Sequence, residues 1–183
     1  MTLAEHGQVV PLATLDRVAR AWRLVGLRAR CATVVGVAAS VAVCDGRASV
    51  ALTGVLLVIA ALVDLHEHRL PNTLLAVAAV TAVADAVQAH RLPTAVCGGA
   101  IAFVLLLWVR LARGLGMGDV KMGTTVGLST AVRVLVAAPV AIATAALVAA
   151  ATGVLLRRDR LPLGPALWCG WAVALAAPKG WWS

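Results

Sequence analysis

Tyrosine is missing from all 183 residues, and phenylalanine occurs once. Charge is nearly as scarce, at 13% of residues, and only eight side chains are acidic. Soluble globular domains carry about 25% charged and about 45–50% apolar residues. A chain with 62% hydrophobic residues and a mean hydropathy of +0.95 falls outside that class. It reads instead as a polytopic membrane protein. Cysteine is sparse and unpaired: Cys31, Cys44, Cys97 and Cys169 form no CxxC. That excludes a zinc ribbon and a thioredoxin-like motif. All four lie in or beside apolar runs and read as small buried hydrophobes. The sequence leaves open whether Cys44 and Cys97 ever pair. No early apolar segment opens the first 30 residues, so that stretch is not expected to be a signal peptide. No repeat, linker or low-complexity tail divides the chain, and the length fits one domain.

What is present is a series of uncharged runs, at 31–44, 48–63, 70–84, 92–109, 122–132, 134–156 and 161–178. A spanning helix needs about 20 residues. The runs at 92–109, 134–156 and 161–178 suffice alone. Those at 31–44, 48–63 and 70–84 need a flanking turn, which a snorkelling Arg or a half-buried Asp supplies. The run at 122–132 is the shortest. The expected fold is all-α: a membrane bundle of about seven transmembrane helices with a cytoplasmic N-terminus. In that arrangement 12 of the 16 basic residues lie inside, and Arg47, Arg91, Arg133 and Lys179 lie outside. Leaving out the short run would move "RRDR" (157–160) outside and spoil the bias, so that run is kept as a short helix. The net charge of +8 is thereby a matter of topology, with no motif for nucleic acid. Trp181 and Trp182 would anchor the far end at the outer interface.

Residues 1–30 are expected to form a basic amphipathic segment on the cytoplasmic surface, and 31–183 the membrane domain. Leu12, Leu15, Val18, Trp22 and Val25 recur at helical spacing, with Arg17, Arg20 and Arg23 mostly off the stripe. A disordered basic tail is the alternative.

Ionisable groups at membrane depth are expensive and mark function. Three acids touch the apolar runs: Asp64, Asp85 and Asp119. The topology puts Asp64 at the end of one helix and Asp119 at the start of another, both at the cytoplasmic boundary. Asp85 falls near the outer face and is not expected to join them. Two carboxylates in one low-dielectric site share a proton and titrate as a pair. One then serves as base toward water and the other as acid toward a scissile carbonyl. Their own helix dipoles suggest that Asp64 holds the proton and Asp119 ionises. Taken singly, Asp119 could equally be an N-cap and Asp64 a solvated helix end.

Asp119 follows glycines in "GLGMGDVKM" (114–122). Gly116 and Gly118 leave space for the extended backbone of a substrate, or merely loosen a loop. Asp64 opens "DLHEHRLPN" (64–72), where Pro71 suits a helix start and Asn72 can fix the loop. His66, Glu67 and His68 are adjacent loop residues that converge poorly on a metal, so a hydrated loop is the expected state and no metal or other cofactor is needed.

At these residues the chain resembles the type IV prepilin peptidase family of intramembrane aspartic proteases. "DLHEHRLPN" looks like the first-aspartate motif, "GMGDVK" (116–121) like GxGD-x-K, and "LPLGPAL" (161–167) like the Pro-x-Gly-Pro stretch that opens the last helix. The resemblance covers about residues 48–178. It implies that Asp64 and Asp119 are the catalytic pair and that Lys121 and the glycines shape the site. It also implies cleavage of pilin-like precursors on the cytoplasmic side, after a basic leader and before a hydrophobic helix. Partners would be that precursor and the lipid bilayer, in the plasma membrane. Many members carry an N-terminal domain with paired CxxC motifs tied to N-methylation, which this sequence lacks, so a peptidase-only member is expected. Presenilin-type proteases share GxGD but pair it with Tyr-Asp, and there is no tyrosine here. Two other classes compete: a proton-coupled transporter using both aspartates as a relay, for which only Thr53, Thr81, Thr144 and Thr152 offer further polarity, and a non-catalytic subunit of a pilus or secretion assembly.

Overall fold

A computed structural model describes residues 9–24, 26–67, 69–113, 115–157 and 162–178. Among the described residues there are eight helices and no strand. They are α1 (Val9–Leu24), α2 (Leu27–Ala42), α3 (Ala48–Glu67), α4 (Asn72–Gln88), α5 (Leu92–Arg113), α6 (Met117–Ala131), α7 (Ala137–Leu156) and α8 (Gly164–Ala176). Each uncharged run corresponds to one helix from α2 to α8. Three of them, α3, α5 and α7, are long and apolar enough to cross a membrane. Shorter apolar helices lie in α2, α4 and α8. Trp181 and Trp182, with most of "RRDR", lie outside the described residues.

The shortest run proves to be the centre of the bundle. α6 packs against α4, α5, α7 and α8, and Val120, Met122, Thr125, Val126, Ser129 and Thr130 are all buried. Its buried threonines are satisfied on its own backbone: Thr125 Oγ1 donates to Lys121 O at 3.1 Å and Thr130 Oγ1 to Val126 O at 2.8 Å. A helix enclosed by helices gains little from being oily. α7, by contrast, buries only 11% of its apolar window inside the protein, and its Leu147, Val154 and Leu155 project outward.

Close approach of α5 and α6 is enforced by absent side chains. A Cβ on Gly98 would come 2.8 Å from Gly127 O, and one on Gly127 would come 2.6 Å from Gly98 O. Such small-residue contacts let membrane helices pack backbone to backbone. Trp171, fully buried in α8, donates from Nε1 to Ser129 Oγ on α6 at 3.1 Å. Trp168 donates to Ser40 Oγ on α2 at 3.1 Å. α8 is thereby bound to both sides of the core.

One end of the bundle is closed by ionic contacts. Arg133, after α6, donates to Asp45 Oδ2 at 2.8 Å and to Val43 O at 3.2 Å, both in the α2–α3 turn, and also reaches Leu175 O on α8. Asp85, 1% exposed, pairs with Arg47 and accepts from Ser49 Oγ at 2.8 Å. Thr53 and Thr81 hydrogen-bond one turn further in, at 2.8 Å. Asp85 is thus a structural anion. Asp85→Asn strands part of the Arg47 charge, which is partly exposed, and should cost roughly 1–3 kcal/mol of stability. We expect a lower Tm in detergent and an activity per folded molecule within about twofold of wild type; a specific loss of activity at unchanged Tm would contradict this role.

At the opposite end, α1 lies against α3 and α4. Thr14 and Thr73 share a hydrogen bond at 2.7 Å, and Arg17 pairs with Glu67 at 2.7 Å. The packing face includes Thr14, Arg17 and the buried Ala21, whereas Leu15 and Trp22 of the expected apolar stripe are exposed. The helix forms, but it docks by polar contacts as well as by apolar ones. The four cysteines are free, with Cys44 buried and Cys97 exposed.

Candidate active site

Asp64 lies in the last turn of α3 and is 5% exposed. Asp119 lies in the first turn of α6, ahead of the uncharged run at 122–132 and outside the three long apolar helices. The chain between them makes two passes through α4 and α5, so both carboxylates reach the same end of the bundle. They line one cavity of about 340 Å³, together with Arg69, Leu70, Asn72, Gly116, Met117, Gly118 and Lys121. Asp85 is held at the far end of α4, as its position in the sequence led us to expect.

Each carboxylate is oriented by a backbone amide. The Gly116 N–H, at the N-cap of α6, donates to Asp119 Oδ2 at 3.1 Å. Asp119 therefore performs a capping function from the first turn rather than from the N-cap itself, and a capping role does not exclude a chemical one. The Gly164 N–H donates to Asp64 Oδ2 at 3.0 Å. Gly164 is the first residue of α8, so the positive end of that helix faces Asp64.

Burial foremost, and then the neighbouring Asp64 carboxylate, push the Asp119 carboxyl up from its ordinary 3.8 to about 6, against the Gly116 N–H, which pulls it down. The two acids thus interact through the cavity. The sequence suggested a proton on Asp64 and charge on Asp119, from each residue's own helix. That reasoning omits α8, a third helix 100 residues distant from Asp64, whose N-terminus offers positive potential where the sequence saw none. The folded site thus adds a helix N-terminus beside Asp64 that its own helix does not supply.

The glycines have structural reasons beyond open space. A Cβ on Gly118 would come 2.9 Å from Leu70 Cβ, so this glycine lets the loop after Asp64 close over the start of α6. A Cβ on Gly116 would lie 3.2 Å from Asp119 Oδ2. Pro71 is buried at the N-cap of α4. Asn72 does not brace its own loop: its Oδ1 accepts from Lys121 Nζ at 2.9 Å, tying α4 to α6 beside the cavity. Sequence reasoning missed Leu70 and Arg69 as cavity residues and Gly164 as the amide that holds Asp64. "LPLGPAL" was the visible signal for Gly164, but nothing in it names Asp64 as the contact.

No group of three or more metal-ligating side chains occurs among the described residues, and His68 lies outside them. The cavity is lined by two aspartates, glycine backbone, Lys121 and Arg69, a set suited to acid–base chemistry on water and a carbonyl.

A search of curated proteins and one of solved structures each found no match. A model of the type IV leader peptidase family matches residues 51–155, more than half of the chain, from the start of α3 to the end of α7 and including both aspartates. The chain belongs to the type IV leader peptidase family, and is by that membership a membrane protease.

Proposed function

We propose that this protein is an intramembrane aspartic endopeptidase of the plasma membrane that removes the basic leader of pilin-like precursors at the cytoplasmic face. The observation that carries the reading is the shared cavity, in which two carboxylates from sequence-distant helices meet beside glycine backbone. The positive-inside bias supports seven crossings with α1 on the cytoplasmic side, which puts the cavity end of the bundle inside.

Asp64, facing the N-terminus of α8, is the base. It takes a proton from water as the oxygen attacks the scissile carbonyl carbon. Asp119, protonated, donates to the carbonyl oxygen, giving a neutral tetrahedral diol. Collapse returns the proton on Asp64 to the leaving nitrogen and the hydroxyl proton to Asp119, so the C–N bond breaks and the pair is restored. No cofactor enters the cycle.

The test is co-expression with a precursor carrying a basic leader before an apolar helix, with the product's new N-terminus read by mass spectrometry. A single cut between leader and helix supports the reading. An intact precursor overturns it, and proton flux into proteoliposomes would then favour the relay.

The proton on Asp119 also predicts a pH profile. Below about 6 the acid is present, and above it both carboxylates ionise and the dyad loses its donor. We expect kcat/KM to fall as pH rises through that region, by about tenfold per pH unit on the falling limb. A rate that still climbs well above it rules out Asp119 as the acid.

A further inference from the structure

The dyad's cavity has an apolar continuation. A groove of about 500 Å³ lies between α4 and α5, floored by α6. It shares two lining residues, Asn72 and Lys121, with the cavity that holds Asp64 and Asp119. From there it follows α4 past Leu75 and Ala76 to Ala79, with Phe103 of α5 on the other wall. Seven residues of helix rise about 10 Å. The groove therefore has room for about two turns of a helix lying along α4.

Its lining suits an apolar guest. Thr124 and Thr125 are the polar residues of its floor, and both hydroxyls are already spent on their own helix, donating to Val120 O at 2.8 Å and Lys121 O at 3.1 Å. The only charge lies at the cavity end, where Lys121 Nζ meets Asn72 Oδ1. A larger groove of about 680 Å³ runs between α5 and α7, lined by Trp108, Leu115, Ala146 and Leu163. It shares no lining residue with the dyad's cavity. Size alone would choose it; continuity with the chemistry does not.

We propose that the α4–α5 groove receives the first two turns of the precursor's apolar helix, immediately after the scissile bond. This rests on the peptidase reading above. Leader and helix then lie on opposite sides of the Lys121–Asn72 bridge, and the bond between them lies over the dyad. The bridge marks where extended chain ends and substrate helix begins. Specificity follows: small or slender apolar residues are favoured in the first two turns, and a charged residue facing Ala79 is rejected.

A photo-reactive phenylalanine analogue is placed at Ala79, or separately at Ala146, in a chain carrying Asp64→Asn so that the precursor stays bound. Irradiation of membranes should join position 79 to the first two turns of the precursor's helix and leave position 146 joined to lipid or to nothing. In parallel, Ala76→Trp, which fills the groove from an exposed position, should slow precursor cleavage at least tenfold, and Ala146→Trp should change it less than twofold. Precursor adducts at 146 and not at 79, or lipid adducts alone at 79, overturn the proposal. So does a normal rate in Ala76→Trp. These results are read only against a wild type that cleaves the precursor; a wild type that does not cleave refutes the peptidase reading itself.

Discussion

Asp64→Asn and Asp119→Asn should each lower precursor cleavage by about 100- to 10,000-fold. Asparagine preserves the shape of aspartate and the acceptor oxygen, so Gly164 and Gly116 keep their hydrogen bonds. What is lost is the proton that the pair must pass. Because the two carboxylates act as a unit, the double variant should be scarcely slower than either single one. The measurement is a mobility-shift assay of precursor processing, with circular dichroism and Tm on each purified variant to establish that the bundle is intact. Near-normal processing by either variant would show that its aspartate only caps or braces a helix.

The second large effect is expected far from both motifs in sequence. Gly164→Ala should reduce kcat by about 10- to 100-fold, because sub-ångström to 1 Å displacement of a reacting group is enough for such losses. The added Cβ would come 3.0 Å from Asp64 Oδ2, 3.3 Å from Asp64 Cβ and 3.1 Å from Ala61 Cα. The last of these is backbone and cannot swing aside, so the carboxylate must shift. Gly26→Ala is the control, since a Cβ there meets nothing within 4 Å. The split matters more than the size: kcat should fall while KM stays near wild type, because the groove and cavity walls that hold substrate are elsewhere. An unchanged kcat would mean that Asp64 needs no help from α8.

Both aspartates were legible because a carboxylate beside an apolar run is conspicuous in so oily a chain. The helices were legible for the same reason, since lipid demands long apolar surfaces. α6 was the weakest reading because it meets protein on most sides, and interior packing rewards Gly123, Gly127 and Ser129 over leucine. The contacts of α1 with the bundle were not legible because Thr14 and Arg17 act through partners on α4 and α3, which hydrophobic spacing cannot reveal. The amide that holds Asp64 was hidden for a like reason. A helix dipole can be assigned from sequence to its own residues, but the N-terminus that matters to Asp64 belongs to α8.

That contact with α8 also bears on the order in which the site is assembled. The ribosome completes α3 and α6, with both aspartates, well before α8 emerges. A nascent chain in that state owns its two acids but lacks the amide that orients one of them and the tryptophan that locks α8 to α6. The arrangement around Asp64 is therefore complete only once α8 has joined α3 and α6.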